Sequence, residues 1–112
     1  MSVPDKSVEG WRRKIDEIDK RLVELLNERS RCVVEIGRIK QKSGEALYQP
    51  DREKEVLDGV ARANPGPLPD AAIRRLFERI LDEARSVERA VMHGGAKIGP
   101  GLFISVMYIP GE

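Results

Sequence analysis

The sequence of 112 residues is long enough for one domain with a modest core. Its 35% charged and 4% aromatic residues are typical of a helical bundle, and the 20 basic against 19 acidic residues argue against a nucleic-acid-binding surface. One cysteine excludes an internal disulfide and favours a reducing, cytoplasmic location, while one histidine excludes a histidine-based metal cluster. The polar N-terminus predicts no signal peptide, and the sequence has no apolar run long enough to span a membrane.

A long amphipathic helix is predicted from about residue 8 to about residue 42. Apolar residues recur there at alternating spacings of three and four, the pattern of a helix packed against another helix. These residues are Val8, Trp11, Ile15, Ile18, Leu22, Leu25, Cys32, Ile36 and Ile39. Such a helix spans roughly 50 Å, which a single chain of this size cannot cover, so we expect a homodimer.

Two cations interrupt or border this apolar face. Arg29 lies where the spacing calls for an apolar residue, and Lys40 lies about 20° further around the helix. A cation in such a position is costly unless an anion meets it. The first helix is therefore predicted to present positive charge to a small anionic ligand.

Two shorter helices are predicted to follow. Gly44 ends the first helix, and Pro50 suits the first turn of a helix over about residues 50–63. The Pro- and Gly-rich stretch 64–67 then separates this helix from a third, over about residues 69–92. The inner face of the third helix is predicted to hold Ile73, Leu76, Phe77, Ile80, Ala84, Val87 and Val91. Glu88 shares this apolar face, which is an unusual position for a carboxyl group.

The sequence divides into a helical domain over residues 1–93 and a C-terminal tail over residues 94–112. Residues 102–109 of the tail are strand-like in composition, unlike anything before them. The simpler interpretation is an extension that lies on the bundle. The alternative is a junction to a further domain or a docking segment for a partner enzyme.

The charged residues on or beside the apolar faces form a candidate site. They are Arg12, Arg29, Lys40, Arg52, Glu53 and Glu88. Interhelical salt bridges would explain any one of them, but surface ion pairs contribute little and do not require such positions. Arg12 lies about 25 Å from Arg29 along one helix, so the two cannot contact one small ligand within a chain. In an antiparallel dimer, Arg12 of one chain can approach Arg29 and Lys40 of the other.

The charged residues occur in segments that resemble the chorismate mutases of the all-helical (AroQ) class. The similar segments are residues 12–19, 25–29, 35–40, 50–53, 64–68 and 73–80, and the resemblance extends over roughly residues 8–92. The mutase domain fused to prephenate dehydratases is similar too. The resemblance implies an all-α fold with three helices per chain and an intertwined antiparallel homodimer whose sites are shared between subunits. It also implies conversion of chorismate to prephenate by a Claisen rearrangement, in phenylalanine and tyrosine biosynthesis, without a cofactor or a covalent intermediate.

The same resemblance implies roles for four residues around the reacting bond. Arg12 of one subunit and Arg29 of the other would bind the substrate carboxylates. Lys40 would donate to the ether oxygen, which gains negative charge as its bond breaks. Glu88 would be the second donor to that oxygen. Because it must then carry a proton, we expect activity to fall as the pH rises.

The remaining site residues expected from the resemblance surround the substrate ring. Arg52 would support the carboxylate end of the substrate, and Glu53 would accept a hydrogen bond from the ring hydroxyl. Two positions depart from the family. Gln49 stands where members often have Asp, and Ala84 stands at a commonly polar position. The first change is expected to weaken the hydroxyl contact without abolishing it.

Two other functions are compatible with these residues. An isochorismate-pyruvate lyase shares the fold and a cationic site, and it would form salicylate from isochorismate. A non-catalytic helical dimer or regulatory module would tolerate Arg29→Ala without losing any activity. A mutase is favoured over the lyase because Glu53 and Glu88 match the mutase pattern.

Overall fold

The computed structural model of the chain describes residues 7–94 and is helical over most of that range. The described range contains three helices, α1 (Val8–Ser43), α2 (Pro50–Ala63) and α3 (Asp70–Gly94). The predicted all-α fold with a long first helix is confirmed, and each predicted helix end agrees within two residues. The strand-like segment 102–109 lies outside the described residues. Over residues 7–94, no helix is long and apolar enough to cross a membrane.

The ends of α1 follow from the residues that flank it. The hydroxyl oxygen of Ser7 accepts a hydrogen bond from the Gly10 amide at 3.0 Å, which satisfies one of the free N–H groups of the first turn. At the other end, Gly44 has a φ of +79° and donates its N–H to the Lys40 carbonyl at 2.8 Å. The positive φ explains why glycine ends this helix.

The chain forms two compact units, divided between Cys32 and Val33. The first unit, described from Ser7, consists of the N-terminal part of α1 alone. Its predicted apolar face is largely exposed, with Trp11 at 52% and Leu25 at 59% of their accessible surface. An isolated amphipathic helix gains little stability in water, because its stability comes mainly from packing of the apolar face.

The second unit, described to Gly94, contains the end of α1 together with α2 and α3. Its buried cluster consists of Val33 and Val34 from α1 and Val87 and Val91 from α3, with Ala84 packed against it. Complete burial of one valine side chain contributes about 1.5–3 kcal/mol, so this small cluster holds the end of α1 against α3.

The inner face of α3 differs from the predicted one at its N-terminal half. Leu76 was expected inside but is 55% exposed, whereas Leu81, which was not in the predicted set, is buried. The two residues lie at opposite edges of the apolar stripe, where helical periodicity decides least. Packing against α2, where Ala61 is also buried, determines which edge is covered.

An ion pair at the side of the second unit joins α2 to α3. Arg74 of α3 lies 3.1 Å from Asp58 of α2, and Lys54, one turn earlier in α2, lies 2.8 Å from the same carboxylate. The hydrogen bonds from Lys54 and Arg74 lower the pKa of Asp58. The carboxylate therefore stays charged and links the two helices.

Candidate active site

A buried ion pair joins α1 to α3 in the second unit. The Lys40 ammonium lies 2.9 Å from Oε1 of Glu88, and the two residues are only 7% and 9% exposed. Within residues 7–94 no other charged residue is buried. Because burying charge is costly, this pair marks a candidate functional site. The structure thus brings together the two residues that, by the family resemblance, were expected to donate to the ether oxygen.

Close packing of the two helices places the pair. Gly37 lies one turn before Lys40, and a Cβ atom built on it would lie only 3.1 Å from Cβ of Val91 and 3.4 Å from Cγ of Glu88. A side chain at position 37 would therefore separate the helices. On the other side of Lys40, its ammonium lies 3.4 Å from the Leu47 carbonyl of the following loop. The Lys40 side chain is thus held between α3 and that loop.

Glu53 also contacts α3, through a residue that the sequence analysis missed. Nη1 of Arg85 donates to Oε2 of Glu53 at 2.5 Å, and Nη2 of the same guanidinium donates to Asp82. The hydrogen bond from Arg85 to Glu53 is the main cause of the raised pKa of Arg85. One signal was available in the sequence, since Asp82 lies three residues before Arg85 on the same helix.

Gln49 and Arg52 lie at the surface. With Tyr48, Pro50, Asp51 and Glu55 they line an open depression of about 470 Å³ at the start of α2. The Arg52 side chain is 69% exposed and lies 3.4 Å from Glu55 on the same helix. Arg52 and Glu53 therefore point in different directions, and Glu53 is the one directed towards α3.

The other predicted residues fall into two groups. Ala84 is partly buried against the valine cluster of the second unit, one turn before Glu88 on α3. Arg12 and Arg29 belong to the first unit, where Arg12 is exposed and Arg29 is half-buried. Their predicted roles stay predictions.

The residues of the second unit favour binding and polarisation of an oxygen-rich molecule. Lys40 supplies a desolvated cation, and a hydrogen bond to a charged group is stronger where water is excluded. Glu88 and Glu53 supply carboxyl groups that can donate or accept, depending on their protonation. This chemistry suits a reaction in which charge develops on an oxygen atom.

Comparison with known families gives a consistent match over most of the described chain. The model of the family described as chorismate mutase type II matches residues 11–89. A bifunctional chorismate mutase/prephenate dehydratase of Neisseria gonorrhoeae is 42% identical over 78 residues, which cover 70% of this chain and 21% of that protein. The corresponding Pseudomonas aeruginosa protein is 37% identical over 87 residues, covering 73% and 24%. The chain thus spans less than a quarter of these relatives.

A solved chorismate mutase structure aligns with this chain over nearly the whole length of the solved chain. A chorismate mutase (Form II) from Thermus thermophilus is 38% identical, with a TM-score of 0.72. The alignment covers 73% of this chain and 93% of the Thermus chain. At this identity the similarity extends beyond the fold to the sequence that builds it.

Proposed function

We propose, because the chain belongs to the chorismate mutase type II family, that it catalyses the rearrangement of chorismate to prephenate. The observation that carries this proposal is the buried Lys40–Glu88 pair, with 2.9 Å between the ammonium and the carboxyl oxygen. Ion pairs on the surface contribute little and remain in water. Stabilisation of developing charge is strongest where water is excluded, as it is around this pair. The family match over residues 11–89 supports the same reaction.

The reaction is unimolecular, so the enzyme needs no nucleophile. The ether C–O bond of chorismate breaks while a new C–C bond forms, and the ether oxygen gains negative charge in the transition state. Lys40 donates to that oxygen, and a protonated Glu88 donates a second hydrogen bond. The Lys40 ammonium is already in place, so it needs no reorganisation when the charge develops. Glu88, which pairs with Lys40 as a carboxylate here, must take up a proton before it can donate. The rest of the site holds the flexible substrate in its compact, reactive conformer.

The remaining roles come from the family resemblance. Glu53 accepts from the ring hydroxyl, and Arg52 supports the carboxylate end from the depression that it shares with Gln49. Arg12 and Arg29 bind the substrate carboxylates, with Arg12 supplied by the second subunit of a homodimer. A neutral Ala84 beside the site makes no polar contact with the substrate.

The homodimer is supported by the exposed apolar face of the first unit. Trp11, Ile15, Leu22 and Leu25 are each at least half exposed, and a second copy of the same helix is the partner that covers such a face in an isologous dimer. Sedimentation equilibrium at micromolar concentration is expected to give the mass of two chains. Leu22→Glu should lower that mass, whereas Glu24→Gln on the same helix should not. A monomeric wild type would contradict the dimer.

Chorismate consumption, followed by its ultraviolet absorbance, tests the proposed activity. The mutase consumes chorismate and forms prephenate, which acid converts to phenylpyruvate. Isochorismate offered in parallel, with salicylate fluorescence as the readout, tests the lyase. Salicylate formation without prephenate formation would make the lyase the correct assignment.

The names of the relatives support a connection between this chain and a prephenate-consuming enzyme. Those proteins join a chorismate mutase to a prephenate dehydratase, and the segment 94–112 is the part of this chain where a fused domain or a partner enzyme would connect. A prephenate-consuming enzyme is the expected partner.

Cytoplasmic location is supported by the single cysteine, which fits a reducing compartment.

A further inference from the structure

Arg85 is held by two carboxylates on two helices. Its guanidinium donates through Nη1 to Glu53 on α2 and through Nη2 to Asp82 on its own helix. The Arg85 and Glu53 side chains are 29% and 23% exposed, so the contact between them is partly shielded from water. Two separate donors to two acceptors fix the plane of a guanidinium, which one contact would leave free to rotate.

Most other ion pairs of the described chain differ from this one. Arg38–Glu35, Arg52–Glu55, Lys54–Asp58 and Arg79–Glu83 join residues three or four apart on one helix, and each includes a side chain that is more than half exposed. Such pairs contribute little to stability or geometry. The pair Arg74–Asp58 also joins α2 to α3, but neither of its members is a proposed site residue.

We propose that Arg85 is a positioning residue, which orients the Glu53 carboxylate for the substrate ring hydroxyl. This inference rests on the proposed function. Arg85 occupies Oε2 of Glu53, and within residues 7–94 Oε1 has no hydrogen-bond partner. That second oxygen is the one left to accept from the hydroxyl. Because Asp82 holds the other terminal nitrogen of Arg85, the direction of Glu53 is fixed before the substrate binds.

The role predicts a particular kinetic effect. The ring hydroxyl is on the carbon next to the one whose ether bond breaks, but its own bonds neither form nor break. Its hydrogen bond is therefore nearly the same in the bound substrate and in the transition state. An interaction of this kind affects KM more than kcat. Loss of Arg85 should therefore raise KM and leave kcat almost unchanged, and the effect should require the Glu53 carboxylate.

The test is a double-mutant cycle on the full chain with chorismate as substrate. Arg85→Met keeps the length and the apolar stem of the side chain while removing the guanidinium. We expect it to raise KM about tenfold with kcat within about twofold. In a Glu53→Gln background the same substitution should change KM less than twofold, because Arg85 acts through the carboxylate. Arg85→Lys should raise KM less than Arg85→Met does, since lysine keeps the positive charge but not the second donor.

Arg74→Met is the matched control, because it removes the other arginine that joins α3 to α2. It should reduce the melting temperature about as much as Arg85→Met while leaving KM unchanged. Equal KM effects in the two backgrounds, or an equal KM effect of Arg74→Met, would make Arg85 a structural residue only and overturn the inference. A wild type that does not turn over chorismate would instead overturn the proposed function, and this inference with it.

Discussion

Lys40→Ala is expected to lower kcat for chorismate by at least about 10²–10³-fold, the effect of removing one donor to a developing oxyanion. The buried ammonium 2.9 Å from Glu88 is the main candidate to stabilise the ether oxygen as its bond breaks. The change also removes the cation opposite a buried carboxylate. We therefore expect lower stability as well as lower activity, measured as initial rates and as a denaturant midpoint.

Two controls separate the loss of chemistry from the loss of stability. Lys42→Ala removes an exposed lysine from the same last turn of α1 and should leave kcat unchanged. The double variant Lys40→Met with Glu88→Leu replaces the pair by apolar side chains of similar size. Such replacements of buried ion pairs are often neutral or stabilising. This variant should therefore regain the stability lost in Lys40→Ala and still be inactive, and activity in it would contradict the role of the pair.

Gly37→Val is expected to reduce both stability and activity, by about 1–3 kcal/mol and about 100-fold. A Cβ atom added to Gly37 would lie 3.1 and 3.2 Å from Cβ and Cγ1 of Val91, and valine adds two methyl groups to that Cβ. The helices must separate to admit them. Because Lys40 lies one turn further along, its ammonium would then lose its position against Glu88. The measurements are a urea midpoint and kcat/KM at a temperature where the variant is folded.

Gly59→Ala is the matched control for Gly37. It also replaces a glycine inside a helix of the same unit, but a Cβ there meets nothing within 4 Å. This variant should gain about 0.5–1 kcal/mol from higher helix propensity without changing kcat/KM. If Gly37→Val were as active as the wild type, the close approach of α1 to α3 would not be what positions the Lys40–Glu88 pair.

The elements of this fold could be predicted from the sequence because strong local signals mark each of them. Gly44 and Pro50 identify the ends that periodicity alone leaves uncertain, and both act where expected. Lys40 and Glu88 were identifiable because a charge on an apolar face needs a partner. Their direct contact across 48 positions was not predicted, because a ligand anion was expected opposite Lys40.

Other features depend on packing that no local pattern encodes. Whether Leu76 or Leu81 is buried depends on how α2 lies on α3, and each is an equally good edge residue by periodicity. Arg85 was missed for a related reason. Lying between Ala84 and Ser86, it resembles any exposed helical arginine until α2 brings Glu53 to within 2.5 Å.

The bare apolar face of the first unit has a consequence for what stability means in this protein. If only a second copy covers Trp11, Ile15 and Leu25, then the N-terminal part of α1 folds and associates in one step. The free energy of unfolding then includes a mass-action contribution from the protein concentration. A chain diluted below its dissociation constant would lose that part of α1, and with it Arg12 and Arg29. Catalytic competence would thus depend on expression level, through the law of mass action, as well as on the sequence.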